Sequence, residues 1–137
     1  PWTTELVALP SHRSLRVLVA NTQLKERVAA LRTGPAEFFS VDIGGGVSLN
    51  GWIMKPPGFD PSRKYPVLFF VYGGPGSQTV MDNWGGSTWL WHAMLTQQGY
   101  LVASVDNMGT PAPKGRAWRK AVYEQIGVLS SRQQAQA

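Results

Sequence analysis

Apolar and polar positions change their period several times along the chain, and each change marks an element. Residues 4–20 hold two short, partly alternating runs, Glu5-Leu6-Val7-Ala8-Leu9 and Leu15-Arg16-Val17-Leu18-Val19-Ala20. The polar stretch Pro10 to Ser14 lies between them, so the pattern predicts a hairpin. Leu24, Val28 and Leu31 then recur at helical spacing, with Asn21 placed as a cap and Thr33-Gly34-Pro35 as a stop. Phe38-Phe39-Ser40-Val41-Asp42-Ile43 and Val47-Ser48-Leu49-Asn50-Gly51-Trp52-Ile53-Met54 flank Gly44-Gly45-Gly46. They predict a second hairpin, whose register a glycine triplet specifies only weakly. Pro56 to Pro61 reads as a surface loop.

Val67-Leu68-Phe69-Phe70-Val71-Tyr72 is apolar without alternation, as a strand covered on both faces would be. After Gly73-Gly74-Pro75-Gly76-Ser77 a helix is expected from an N-cap at Ser87, burying Leu90, Trp91, Met94 and Leu95 and closing at Gly99. Leu101-Val102-Ala103-Ser104-Val105-Asp106 is a second continuous strand. Strand, helix, strand in this form predicts a βαβ unit with a parallel pair and a right-handed crossover, hence an α/β fold. A basic helix over 114–126 follows, with Trp118, Ala121, Val122 and Ile126 inward. From Ser130 the chain is polar and Gln-rich, and a loose tail is expected.

Composition narrows the function classes. A chain of 137 residues with 43% hydrophobic and 15% charged residues can build one domain with a real core. The absence of cysteine removes disulfides, zinc–thiolate sites and a thiol nucleophile. Fifteen glycines and ten prolines call for more sharp turns than a helical bundle uses. No apolar run approaches the ~20 residues of a membrane-spanning helix. No leader is visible and the chain begins at Pro1, so a processed product or a piece of a longer chain is expected, and compartment is not readable. The net charge is +5, with Lys114, Arg116, Arg119 and Lys120 clustered at helical spacing. That cluster reads as a solvated helix face; a nucleic-acid surface would need a broader basic stripe with interleaved aromatics.

Candidate chemistry is sparse. No Gly-x-Ser-x-Gly is present: Gly46-Val47-Ser48-Leu49-Asn50 and Gly85-Gly86-Ser87-Thr88-Trp89 each have only the first glycine. No histidine follows His92, so no serine here can be followed by both partners of a hydrolase triad. His12 and His92 lie far apart and make no metal motif. The loop 73–77 lacks the Gly-Lys-Ser/Thr and the adjoining helix start of a phosphate cradle, and Ser77 has no base placed for it. Tyr72 ends a buried strand at its C-terminal edge, where open α/β sheets keep their sites. From the residues alone, Tyr72 reads as an aromatic strand cap. Asp106 ends the second strand at the same edge and reads as a loop anchor. His92 reads as structural, and Trp84, Trp89 and Trp91 as packing rather than a substrate platform.

Several stretches together resemble a known family. They are Gly51-Trp52-Ile53-Met54-Lys55-Pro56-Pro57, Tyr65-Pro66-Val67, Val71-Tyr72-Gly73-Gly74-Pro75-Gly76-Ser77-Gln78, and Asp106-Asn107 with Gly109-Thr110. From about residue 14 to residue 127 the chain resembles the prolyl oligopeptidase family of serine peptidases, most of all its bacterial dipeptidyl peptidases. The resemblance implies the N-terminal portion of an α/β-hydrolase fold over 34–137, preceded over 1–33 by the last strands of a β-propeller and a linker helix. It implies a segment of an exopeptidase that releases N-terminal dipeptides through an acyl-enzyme, with peptide substrate and no cofactor. Tyr72 would be the oxyanion-hole hydroxyl, and the nucleophile would lie beyond the end of this chain, leaving the segment inactive by itself. The nucleophile strand would lie beside 67–72, so without it that edge is open to self-association.

The chain departs from the family's Asp-x-Arg-Gly-x-Gly at Met108 and Pro111, and from an acidic stretch ending in Asp-Gln at Ser130-Ser131-Arg132-Gln133-Gln134. Met donates no hydrogen bonds and Pro fixes a backbone angle that Gly leaves free. These departures support one alternative, a non-catalytic binding module; a related acylaminoacyl peptidase or esterase is the other.

Overall fold

The first two alternating runs pair as an antiparallel hairpin, β1 (Thr4–Ala8) with β2 (Arg13–Val19), in a two-stranded sheet of their own. This is seen in a computed structural model that describes residues 1–31 and 33–137. The helix α1 (Thr22–Ala29) follows. Asn21 does not cap it: the residue is left-handed (φ 53°), and its side-chain amide donates to the Trp2 carbonyl instead, at 2.8 Å. That bond ties the helix start to the beginning of the chain.

The larger sheet has the order β3-β4-β6-β5. β3 (Glu37–Asp42) and β4 (Ser48–Met54) pair antiparallel without a register shift, from Glu37↔Ile53 to Asp42↔Ser48. The glycine triplet holds this register because all three residues take positive φ and the Asp42 carboxylate accepts from the Gly44 N–H at 2.8 Å. β4 also pairs antiparallel with β6 (Leu101–Asp106), and β5 (Val67–Phe69) lies parallel to β6. The helix α2 (Gly86–Gln97) makes the crossover between β5 and β6.

The alternation of side chains across β4 and β6 divides the core into two layers. Trp52, Met54 and Val102 meet Ala93 of α2 on one face, with Leu68, Phe70, Trp89 and Leu95 packed around them. Leu49 and Val105 meet Trp118 of α3 (Gly115–Lys120) on the other. α4 (Val128–Gln136) ends the chain. Among the described residues no helix is long and apolar enough to cross a membrane.

Four expectations are corrected. β5 is shorter than its apolar run and is covered on one face: Leu68 and Phe70 pack against the layer under α2, while Val67, Phe69 and Val71 point to the other face, where they stay exposed. α2 begins after Gly85, without a side-chain cap from Ser87, and buries His92, Ala93 and Thr96, while Leu90, Trp91 and Met94 are exposed. Its apolar residues surround the axis, so periodicity selects no face. The small Ala93 and Thr96 allow close approach to the sheet, and the Thr96 hydroxyl is satisfied by the Ala93 carbonyl at 2.8 Å. The basic helix is only α3, Gly115–Lys120, shorter than the expected 114–126; Trp118 within it and Val122 beyond it are buried, and Ile126 is exposed. Last, the Gln-rich tail is helical, with Ser130 and Gln133 buried. Its polar side chains are held by backbone groups: Gln134 Nε2 donates to the Val105 carbonyl at 2.6 Å, and Gln133 Oε1 accepts from the Met108 N–H at 2.9 Å.

Candidate functional site

The C-terminal edge of β5 and β6 gathers the residues singled out in the sequence. Leaving β5, the Phe70 N–H still donates to the Ala103 carbonyl at 2.8 Å, after which the backbone departs from the sheet. Tyr72 follows, with 54% of its surface exposed. Gly73 turns the chain at φ 76°, a conformation costly for any residue with a Cβ. The Tyr72 ring then lies over its own loop. A Cβ at Gly74 would stand 3.3 Å from the ring, and one at Gly76 would stand 2.8 Å from the phenol oxygen. The glycines thus leave the space the side chain occupies.

Asp106, 3% exposed, is the loop anchor its position suggests. Its Oδ1 accepts from the Thr79 N–H and from the Thr79 hydroxyl, both at 2.9 Å, and its Oδ2 accepts from the Val80 N–H at 2.9 Å. The Thr79 hydroxyl also lies 2.6 Å from that of Ser104, and Ser104 Oγ donates to the Phe70 carbonyl at 2.5 Å. Asn107, fully buried, grips the other end of the loop: its Nδ2 donates to the Gly73 carbonyl at 3.1 Å and to the Met108 carbonyl at 2.7 Å, while its Oδ1 accepts from Gln134 Nε2 at 3.2 Å. Sequence reasoning assigned no role to Thr79, Ser104 or Asn107, although Asn107 belongs to the stretches that carry the family resemblance. Ser104 carried the one usable signal, a hydroxyl inside an otherwise apolar strand. Met108 itself packs against the Leu49–Val105–Trp118 layer.

A cavity of about 780 Å³ opens beside Tyr72, with walls that include Trp52, Phe70, Trp84, Trp89 and His92. The Trp84 and Trp89 rings sit 5.2 Å apart, so two of the three tryptophans weighed as packing line this space, while Trp91 points outward. His92 is 3% exposed and lies within 5.4 Å of the Trp52, Phe70 and Trp91 rings. Burial lowers its pKa from the ordinary histidine value, and its Nε2 has no hydrogen-bond partner among the described residues. It is a neutral core residue, in keeping with a structural role. Among the described residues no group of histidine and carboxylate side chains could hold a metal ion. Ser77 Oγ donates only to the Gln78 carbonyl at 3.4 Å. Of the basic cluster, Lys114 is not simply solvated: its Nζ donates to the Ser48 carbonyl at 2.7 Å and lies over the Trp118 ring at 4.4 Å.

The arrangement offers a phenol hydroxyl, free to donate to an acceptor, at the mouth of an aromatic cavity. No family model matches the chain. A probable dipeptidyl peptidase 4 of Aspergillus flavus is 35% identical over 134 residues, 97% of this chain and 17% of that protein. A dipeptidyl peptidase 4 of Trichophyton rubrum is 34% identical over 125 residues, 90% of this chain and 16% of that protein. The crystal structure of Porphyromonas gingivalis dipeptidyl peptidase 4 superimposes with a TM-score of 0.87 and 42% identity, over 96% of this chain and 18% of that one. A putative dipeptidyl aminopeptidase IV from Bacteroides ovatus superimposes with a TM-score of 0.78 and 26% identity, over 97% and 18%. The chain spans under a fifth of the length of each of these relatives. Similar in sequence and backbone across nearly its whole length, it is a dipeptidyl peptidase 4-like member of the prolyl oligopeptidase family.

Proposed function

We propose that this chain is the segment of a serine-type dipeptidyl peptidase that supplies an oxyanion donor, Tyr72. Residues 34–137 form the opening part of an α/β-hydrolase domain on this reading, and residues 1–33 the end of a β-propeller with its linker helix. The serine, acid and histidine come from sequence outside these residues. In acyl transfer the serine attacks the carbonyl after the second residue of the substrate, and that oxygen becomes negative. A donor already aimed at the oxygen lowers the barrier by roughly 3–4 kcal/mol without reorganising. Tyr72 donates from one side, and a backbone N–H beside the serine from the other. A serine acyl-enzyme needs no cofactor.

The observation that carries the reading is the seat of the Tyr72 hydroxyl, over Gly76 at the sheet's C-terminal edge and beside the aromatic cavity. The free edge of β5 is, on the same reading, where the strand leading to the serine pairs; in the isolated segment it is open to a second copy. Met108 and Pro111 favour a second reading, a non-catalytic binding module.

The test uses the complete gene product with chromogenic peptides bearing Pro or Ala in second position. Dipeptide release from free N-termini, with labelling by a fluorophosphonate, supports the proposal. Preference for N-acylated residues or esters points to the acylaminoacyl peptidase or esterase alternative. No turnover and no labelling leave the binding module.

A further inference from the structure

We infer that Asp106 is a positioning residue that sets where the Tyr72 hydroxyl stands; the inference rests on the oxyanion reading of Tyr72. Among the described residues, no backbone hydrogen bond closes the stretch 72–80 upon itself, so side chains must hold it. Those side chains come from the end of β6. Asp106 fastens the far end of the stretch at Thr79 and Val80. Ser104 brings that end beside the near one: its hydroxyl donates to the Phe70 carbonyl, and its oxygen lies against the Thr79 hydroxyl, whose proton goes to Asp106. Tyr72 therefore sits in a loop whose two ends meet at a single buried polar cluster.

The carboxylate suits this task better than any neutral group. It is acceptor-only, and three donors converge on its two oxygens. Hydrogen bonds to an ionised acceptor are also the stronger kind. Asparagine has the same shape but would turn an N–H₂ toward a donor, releasing Val80 or Thr79. Asp106 lies under the loop, and its bonds fix the backbone that carries the Tyr72 ring. A shift of about 1 Å in a reacting group can cost a hundredfold in rate, so loosening this cluster should appear in turnover rather than in substrate binding.

The experiment measures steady-state kinetics of the complete gene product on an Xaa-Pro chromogenic substrate. The variants are Tyr72→Phe, Asp106→Asn, the pair together, and the milder Thr79→Val, which keeps the backbone bonds to Asp106. Asp106→Asn is expected to lower kcat roughly 10- to 100-fold with KM within about 3-fold. In the Tyr72→Phe background the same change should cost less than about 3-fold, because both act through one hydroxyl. Thr79→Val should lower kcat about 3- to 10-fold with the same non-additivity, and it carries the test if thermal melting shows that Asp106→Asn does not fold. Equal fold-losses in the two backgrounds overturn the inference alone, as does an unchanged kcat in folded Asp106→Asn. An unchanged kcat in Tyr72→Phe overturns the oxyanion reading, and this inference with it.

Discussion

Gly109→Ala puts the packing of the loop after β6 to a quantitative test. Gly109 has φ 96° and is locked there, since its N–H donates to the Trp118 carbonyl at 2.9 Å. A Cβ at this position would lie 2.4 Å from both methyls of Val122, which is itself buried. Two costs add. A side chain forced to positive φ loses about 1–2 kcal/mol. Overfilling a tight core site costs about 1–3 kcal/mol more. The sum, about 2–5 kcal/mol, corresponds to a fall in Tm on the order of 10 °C for a domain of this size. Urea unfolding of the purified segment at one fixed protein concentration, followed by tryptophan fluorescence, reads it, because Trp118 stands beside the site. Gly44→Ala is the control: φ is 86°, but nothing lies within 4 Å of the new methyl, so only the backbone cost remains. Val122→Ala separates the two terms, since in that background Gly109→Ala should lose most of its steric part. A penalty under about 0.5 kcal/mol for Gly109→Ala would refute the reasoning. So would an equal penalty with and without the Val122 methyls.

Two further outcomes follow from burial and from the open strand. Because burial lowers the His92 pKa, the unfolded chain binds more protons than the folded one below the ordinary histidine value of about 6.5. Stability is therefore full above that value and is lost as pH falls through it. The urea midpoint should drop between about pH 7.5 and pH 5.5, and His92→Leu should remove most of the drop; the same slope in both proteins would show that another group titrates. The isolated segment should self-associate through β5, and Phe69→Lys should shift it toward monomer in sedimentation velocity, since Phe69 is 57% exposed on that edge. A sharp monomer boundary for the unsubstituted segment would contradict this.

What could be read ahead of the structure depended on whether a residue's role was local. The two hairpins and the parallel β5–β6 pair were visible, because apolar runs broken by turn residues mark strands and their order; how β5 is covered was not, since its continuous run has one bare face. Tyr72 could be placed at the sheet edge because a run of apolar residues ends there against two glycines. Asp106 was recognisable as an anchor because it is the first charged residue after the second apolar run, at the same edge. The buried face of α2 was not legible, since Trp89, Leu90, Trp91, Ala93, Met94 and Leu95 leave no polar side to exclude. Nor was α4, whose Gln133 and Gln134 are held by the Met108 and Val105 backbone rather than by apolar burial. The holding roles of Asn107 and Thr79 were not readable because their partners are distant in sequence, and a buried amide or hydroxyl looks in sequence like any loop residue.

The most direct test of the central claim is the turnover of Tyr72→Phe in the complete gene product, on a dipeptide-releasing substrate under saturation. Removal of one oxyanion donor predicts a fall in kcat of roughly 10²- to 10³-fold, with the fold and KM nearly unchanged. A Tyr72→Phe enzyme that turns over at the unsubstituted rate would contradict the account.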